Sequence, residues 1–283
     1  MTNLSFLNEI LPLWAVCEFP TACISAQRSD GAPPQAALLK TRNALPEHPR
    51  SVIVAAFPYL LPEEYYRYRN IARFAVVRDY HVVCGARLEQ VCALLREAYP
   101  GEAFAHYCDH SPLPEAALAE HAGLGFRGRH NLLITEKYGS WVVLGEIVTT
   151  AALSASGFDK LKCLSQLRTA HSCEACPAPC VKACPTGALS EAGFDKLKCL
   201  SYCSQRKGEL DPGIAGHLRA AHSAWGCDIC QEACVQNKKA TVEPLPEFLQ
   251  GAVAELTPKT PLEGWAYAWR GREVLNRNIA NLT

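Results

Sequence analysis

Residues 173–185 read Cys173-Glu-Ala-Cys176-Pro-Ala-Pro-Cys180-Val-Lys-Ala-Cys184-Pro185, and this run decides how the chain is organised. Four cysteines at such close spacing, the last one before a proline, are typical of loops that bind iron–sulfur clusters. A second group follows, in which Cys199 stands apart and the ending of the pattern returns as Cys227, Cys230 and Cys234. The eight thiols are enough for two 4Fe-4S clusters.

The order of the cysteines predicts which thiols share a cluster. In two-cluster ferredoxins, the cysteine before proline binds the neighbouring cluster, so each cluster draws on both groups. The first cluster is predicted to use Cys173, Cys176, Cys180 and Cys234. The second is predicted to use Cys184, Cys199, Cys227 and Cys230.

Two features depart from the usual ferredoxin pattern. The spacing between the second and third cysteines is three residues instead of two, and Val235 follows Cys234 where a proline is usual. A pair of zinc sites is the alternative, since two separated C-x2-C segments also suit tetrahedral Zn²⁺. Zinc would leave Cys180, Cys184 and Cys234 without a purpose.

Composition limits the class of protein. The 283 residues carry 28 Lys+Arg and 28 Asp+Glu, so the formal charge is zero and gives no global attraction for nucleic acid. The number of cysteines, 15, is odd, and the chain is long enough to fold without disulfide bonds. Both facts argue against a secreted disulfide scaffold. The N-terminus lacks a basic signal region and no run of about 18 apolar residues occurs. We therefore expect a soluble, cytoplasmic protein.

The first 150 residues have an α/β pattern. Residues 51–57 are a short apolar run that predicts a buried strand, and residues 132–134 and 141–149 predict two adjacent strands. Helical spacing of apolar positions predicts helices over residues 80–99 and 114–121. We expect an α/β domain over residues 1–150, a ferredoxin-like domain over 151–240, and a tail over 241–283 that ends in a helix over 262–281.

A nearly exact repeat links the two halves. Residues 152–165 match residues 188–201 at 12 of 14 positions, which suggests a recent local duplication. Only the second copy follows the Cys184-Pro-Thr-Gly-Ala-Leu189 run. The ligand is therefore expected to be Cys199, and its counterpart Cys163 is expected to be spare. Cys108 and Cys203 are expected to be buried free thiols.

Several segments together resemble the cobalamin-dependent, iron–sulfur epoxyqueuosine reductases of the queuosine tRNA-modification pathway. They keep the family's order along the chain and are Asp79-Tyr-His81, Cys108-Asp-His-Ser-Pro-Leu113, Ala119-Glu-His-Ala-Gly-Leu-Gly-Phe126, Gly128-Arg-His-Asn131, Gly139-Ser-Trp-Val-Val-Leu-Gly-Glu-Ile147, Cys184-Pro-Thr-Gly-Ala-Leu189, Gly226-Cys-Asp-Ile-Cys230 and Arg277-Asn278. The resemblance departs at Gly128-Arg-His-Asn131, where the family has a lysine, and in the lack of a C-terminal helical-repeat region.

The resemblance implies an N-terminal cobalamin-binding α/β domain joined to the two-cluster domain. Electrons would pass through the clusters to Co(I), which removes the epoxide oxygen of epoxyqueuosine in the tRNA anticodon loop. The family's catalytic aspartate falls on Asp109, which would act as a general acid if an apolar pocket raised its pKa. Corrin or substrate contacts are expected at His81, Arg129, His130 and Asn131. A helix cap or Asx turn is the structural alternative for Asp109.

The expected partners are tRNA, a flavodoxin- or ferredoxin-type electron donor, and no membrane. Two basic spots, one at Arg67, Arg69 and Arg73 and one at Arg127, Arg129 and His130, are candidates for phosphate contacts or solvated surface. Two other functions stay open. One is a corrinoid reductase of a small epoxide or organohalide, and the other is an iron–sulfur electron carrier without catalysis.

Overall fold

The computed structural model describes residues 4–20, 45–109, 111–154 and 173–283. Its strands are, in chain order, β1 Trp14–Glu18, β2 Ser51–Pro58, β3 Phe104–Tyr107, β4 Phe126–Arg127, β5 Leu133–Ile134, β6 Val142–Thr149, β7 Leu189–Ser190 and β8 Gly193–Phe194. Its α-helices are α1 Arg73–Val76, α2 Tyr80–Ala98, α3 Glu115–His121, α4 Pro179–Ala183, α5 Leu200–Ser204, α6 Pro212–Ala220, α7 Ile229–Ala233, α8 Pro246–Leu249 and α9 Gly271–Leu282. Short 3-10 helices cover Ser5–Glu9, Glu63–Tyr66, Lys196–Lys198, Val235–Lys239 and Ala266–Arg270. The predicted mixed α/β class is confirmed.

The chain forms two compact units that alternate along the sequence. Unit 1 comprises Met1–Phe57, His81–Arg127 and Val142–Ser172. Unit 2 comprises Pro58–Tyr80, Gly128–Trp141 and Cys173–Thr283. The contiguous domain boundaries expected at residues 150 and 240 stay a prediction.

Unit 1 is built on a four-stranded sheet with strand order β1-β2-β6-β3. β1 is antiparallel to β2, and β3 is antiparallel to β6. All eight residues of β2 are buried, as the apolar run predicts. The expected adjacency of residues 132–134 and 141–149 is wrong, because β6 lies between β2 and β3. A long apolar strand is stabilised by a neighbour on each side, which the two-residue β5 cannot replace.

Helix α2 packs on this sheet through the apolar stripe that the sequence predicts. Leu88, Val91, Cys92 and Leu95 are fully buried along one face. Gly145 of β6 lies against this helix, and an added Cβ there would lie 2.7 Å from Cδ1 of Leu88 and 3.2 Å from Cε2 of Phe57. A glycine is required there because any side chain would overpack the core of unit 1.

Unit 2 contains short helices connected by turns. Helix α6 begins at Pro212, and the side chain of Asp211 caps it by accepting hydrogen bonds from the backbone N–H groups of Gly213 and Ile214. The C-terminal helix α9 is anchored by the buried Asn278, whose amide donates to the carbonyl oxygens of Ser204 and Ala224.

The expected helical C-terminal end is confirmed, but its start is later than predicted. The helix expected over residues 262–281 begins only at Gly271. Gly264 and Gly271 have φ values of 92° and 80°, a conformation that interrupts an α-helix. No α-helix in the described ranges has both the length and the apolar character needed to cross a membrane.

Candidate active site and cluster-binding cysteines

The structure brings the eight predicted cluster ligands together in two sets of four, both within unit 2. The thiols of Cys180 and Cys234 each interact electrostatically with those of Cys173 and Cys176. The thiols of Cys227 and Cys230 instead interact with those of Cys184 and Cys199. The thiols are grouped as in the crossed ferredoxin pattern, and their binding of clusters stays a prediction.

Two matching helices place the cysteines that end each C-x3-C segment. Cys184 is the C-cap residue that follows helix α4, and Cys234 is the C-cap residue that follows helix α7. Both cysteines are extended, with φ and ψ of −67° and 111° at Cys184 and −68° and 124° at Cys234. A following proline imposes this conformation on Cys184. Cys234 adopts it although Val235 follows, so the missing proline leaves the backbone at this ligand unchanged.

Burial sets the ionisation of most of these thiols. It raises the pKa of Cys227 to about 12 and the pKa of Cys230 above the usual range, with smaller contributions from neighbouring thiols. Cys184 differs: burial opposes its ionisation, but hydrogen bonds from nearby groups, the Leu189 backbone first, outweigh burial and lower its pKa. Cluster ligands bind as thiolates, so the binding of iron by these cysteines would release protons.

The predicted cluster thiols are more widely spaced than the ligands of a single zinc ion. Among the described residues, no three of these sulfur atoms lie within 4.8 Å of one another. Around one tetrahedral Zn²⁺, bonds of about 2.3 Å would hold the sulfurs roughly 3.8 Å apart. In a 4Fe-4S cluster each cysteine binds a different iron, so the sulfurs are further apart. Cys163 and most of the first repeat copy lie outside the described residues.

Arg129, a predicted cofactor contact, reaches the first cysteine loop. Its Nε and Nη2 atoms donate hydrogen bonds to the carbonyl oxygen of Cys173 at 3.3 and 3.2 Å. The neighbouring Asn131 is exposed and has a φ of 65°. Arg129 therefore fixes the loop that begins the first thiol set, while the amide of Asn131 faces solvent.

His130, the third residue of this segment, is buried. Its Nδ1 accepts a hydrogen bond from the backbone N–H of Leu132, and an added Cβ at Gly128 would lie 2.9 Å from its ring. Burial lowers the pKa of His130 to about 4. The ring is thus neutral near pH 7 and shapes the loop from inside.

The burial of His130 predicts a specific loss of stability in acid. The pKa is about 4 in the folded protein and about 6.5 in the unfolded chain, so the unfolded chain binds the proton more tightly. The resulting stability is present above pH 6.5 and is lost as the pH falls towards 4, by about 3 kcal/mol. Urea unfolding at pH 7 and pH 4.5 should show a smaller pH effect in His130→Gln than in the wild type. His121→Gln, which replaces an exposed histidine, should keep the wild-type pH effect. The prediction would be wrong if the free energy of unfolding changed equally between the two pH values in the wild type and both variants.

Asp109 lies in unit 1, immediately after β3, in the loop that follows Tyr107. Its Oδ2 atom is 3.4 Å from Nε2 of His81, on the first turn of α2. The side chains are 42% and 30% exposed, so the described residues do not enclose Asp109 in the apolar pocket that a raised pKa would require. The φ of Asp109 is 63°, a left-handed conformation that aspartate tolerates better than most residues. The loop therefore presents the carboxyl at the surface of unit 1, beside an imidazole.

The preceding cysteine anchors this loop. Cys108 is buried, and its thiol donates a hydrogen bond to the carbonyl oxygen of Leu144 in β6 at 3.4 Å. A hydrogen bond with the Cys84 thiol and burial together raise the pKa of Cys108 far above its usual value. Cys203 is also buried and free. Both cysteines are buried and neither is in a disulfide bond, as the sequence predicts.

Most of the basic spot at residues 67–73 is occupied by acidic partners. Arg69 forms ion pairs with Asp228 and Glu232, and Arg73 pairs with Glu63 and Glu232. Asp228 lies between Cys227 and Cys230 in the sequence and is buried, and burial raises its pKa to about 6. These arginines hold the second cysteine loop through Asp228 and Glu232, a role that sequence reasoning missed because these two acids lie 159 and 163 positions from Arg69.

Comparison with known proteins points in one direction. A family model described as "Epoxyqueuosine reductase QueG, DUF1730" matches residues 40–110. The epoxyqueuosine reductase of Listeria monocytogenes is 33% identical over 255 residues, which cover 82% of this chain and 63% of the relative. That of Gloeobacter violaceus is 38% identical over 197 residues, which cover 68% and 56%. The chain thus spans between half and two thirds of the length of these relatives.

Solved structures show the same fold. One is a Bacillus subtilis epoxyqueuosine reductase whose catalytic aspartate loop is swung out of the active site, with 22% identity and a TM-score of 0.76. Another is an epoxyqueuosine reductase with an epoxyqueuosine-modified tRNA-Tyr stem loop, with 21% identity and a TM-score of 0.76. Each match covers 99% of this chain and 79% of the other.

Proposed function

The chain is related to the epoxyqueuosine reductases, and from this premise we propose that it reduces epoxyqueuosine to queuosine in tRNA, using two 4Fe-4S clusters and cobalamin. The single observation that carries the proposal is the assembly of eight thiols into two sets of four in unit 2. The sequence relatives carry the same name over most of this chain. Removing the epoxide oxygen as water consumes two electrons and two protons, and each cluster passes one electron at a time.

The electron path is assigned to unit 2. The first cluster would be held by Cys173, Cys176, Cys180 and Cys234, and the second by Cys184, Cys199, Cys227 and Cys230. A flavodoxin- or ferredoxin-type protein is the proposed electron donor. Arg129 and the pair of Arg69 with Asp228 would keep the cysteine loops in place as the charge of the clusters changes.

The corrin contacts are proposed from donor chemistry. Bound cobalamin would supply the two-electron reducing centre that opens the epoxide. Its carboxamides need hydrogen-bonding partners that the protein leaves accessible. His81, Arg129 and Asn131 are at least partly exposed and carry N–H groups that fit this need. His130, the fourth residue expected there, is buried and would act by holding the loop of Arg129 and Asn131.

The proton would come from the Asp109 and His81 pair. Opening an epoxide develops negative charge on oxygen, which a nearby acid can neutralise. In this proposal the imidazole of His81, 3.4 Å from the carboxyl, passes a proton to Asp109, and the carboxyl hands it on to the epoxide oxygen. Enclosure of Asp109 by bound substrate and cofactor would strengthen this transfer, because burial favours the neutral carboxyl.

The substrate is tested directly by the modification state of tRNA. In a strain lacking this gene, nucleoside analysis of tRNA should show epoxyqueuosine in place of queuosine, and the plasmid-borne chain should restore queuosine. Purified protein loaded with iron, sulfide and cobalamin should convert epoxyqueuosine in a stem loop under reducing conditions. Unchanged queuosine in the deletion strain would exclude this substrate and leave the corrinoid-reductase and electron-carrier alternatives.

A further inference from the structure

Three potential metal ligands converge in unit 1, and none of them is among the eight predicted cluster cysteines. They are Glu89 and Cys92 on α2 and His106 on β3, and one donor atom of each lies within 4.8 Å of the other two. Positions 89 and 92 are one helical turn apart and share a face. β3 is the edge strand of the sheet and places His106 against that face. Two elements thus bring together a carboxylate, a thiol and an imidazole.

We propose that Glu89, Cys92 and His106 form a binding site for one divalent transition-metal ion, with zinc as the expected occupant. A thiolate, an imidazole and a carboxylate are the ligand types that Zn²⁺ takes in proteins. Three protein ligands would leave a fourth position for water. The side chains of Glu89 and His106 are 50% and 33% exposed, so an ion can enter from solvent.

The present distances already suit such an ion. Oε2 of Glu89 lies 3.2 Å from Nδ1 of His106. Two ligands bound to zinc at about 2.0–2.1 Å in tetrahedral geometry stand roughly 3.3 Å apart. The ion would therefore replace the hydrogen bond between these groups with little movement of either side chain.

The alternative is that Glu89 and His106 form a simple ion pair next to a buried thiol. A metal ion must compete with Arg96 for Glu89 and with the proton of the Cys92 thiol. Arg96 donates to Oε1 of Glu89 at 2.8 Å, which leaves Oε2 for a metal. Burial raises the pKa of Cys92 to about 12, so the ion must displace a proton from the thiol. Zinc binds thiolate and imidazole ligands well, so the buried sulfur and the accessible imidazole together favour its binding.

An ion at this site would cross-link α2 and β3. The two elements carry His81 at the start of α2 and lead into Asp109 just after β3. Their relative position would then be set by metal bonds as well as by packing. The site itself does not depend on the proposed function, because its ligands are outside the cluster and proton-transfer residues.

The test uses the complete chain with both clusters loaded. The protein is incubated with one equivalent of Zn²⁺, desalted, and measured for zinc and iron, and the zinc environment is determined by X-ray absorption at the zinc edge. We expect about one zinc per chain, with one sulfur at about 2.3 Å and the remaining ligands nitrogen or oxygen at about 2.0–2.1 Å. Iron content should not change. An environment of four sulfurs would place zinc in the cluster cysteines and overturn the proposal, as would failure to retain zinc.

Single substitutions test each of the three proposed ligands. Glu89→Gln is isosteric, and Cys92→Ser and His106→Gln each remove one donor. Each should weaken zinc binding by more than about 100-fold, the upper range for losing only an outer partner of a metal ligand. Cys17→Ser is the matched control, since it removes another buried thiol of unit 1 and should retain zinc. Wild-type affinity in Glu89→Gln, which has no reason to unfold, would contradict the assignment.

Discussion

Asp109→Asn is expected to reduce turnover of epoxyqueuosine in tRNA by about 10²- to 10⁴-fold, the usual contribution of a general acid. Asparagine has nearly the same size and also tolerates the left-handed backbone, with φ of 63°, that Asp109 adopts. The loop should therefore keep its shape while it loses the carboxyl. Single-turnover assays with a modified stem loop, under saturating reductant, measure this step without dependence on the electron donor.

Two controls define what the loss means. Iron content and the visible spectrum of bound corrin should match the wild type in Asp109→Asn, and Glu97→Gln, an exposed carboxyl on α2, should keep full turnover. His81→Asn should lower turnover less and should shift the acidic limb of the pH–rate profile, because His81 acts through Asp109. Wild-type turnover in Asp109→Asn would refute the assignment of this residue as the acid.

The second large effect is a pattern of iron loss that depends on which cysteines are removed together. With two clusters the chain should bind about eight irons, and removing a ligand should cost about four. Cys180 and Cys234 belong to one set, so the double alanine variant should lose no more iron than Cys234→Ala alone. Cys227 and Cys234 belong to different sets, so that double variant should lose both clusters.

An uncrossed arrangement would reverse the two double variants, so the experiment distinguishes the alternatives without a crystal. Cys203→Ala is the matched control, because this buried thiol lies close to Cys199 in sequence yet donates to the carbonyl oxygen of Leu197 at 3.1 Å. It should keep about eight irons. Activity should follow iron content, since neither cluster can be bypassed in a single electron path.

The features that the sequence predicts well are those that depend on local spacing. The helix over residues 80–99 follows from an apolar stripe at 3.6-residue intervals, and the buried strand β2 follows from an uninterrupted apolar run. The two cysteine sets follow from short intervals with known ligand preferences. Each of these signals lies within a few tens of residues or rests on a motif.

Features that depend on distant partners could not be predicted. Nothing near Arg69 in sequence indicates Asp228, and nothing near His106 indicates Cys92, because the fold supplies these neighbours. The strands that pair with β6 were predicted wrongly for the same reason, since a sequence pattern identifies a strand but not its neighbours in the sheet. The burial of His130 was hidden too, because Gly128 creates the space for its ring.

The alternation of the two units has a consequence for how the protein is made and engineered. The chain passes from one unit to the other five times, at residues 57, 80, 127, 141 and 172. A fragment from Cys173 onward would lack Asn70, which exchanges two hydrogen bonds with Leu256, and Ser140, which bonds to Asn237. A fragment from Cys173 onward should therefore be less stable than the same residues in the complete chain, because it would lose these hydrogen bonds. During synthesis, residues 58–80 and 128–141 of unit 2 are made early. The hydrogen bonds of Asn70 with Leu256 and of Ser140 with Asn237 form only after the last third of the chain has been made.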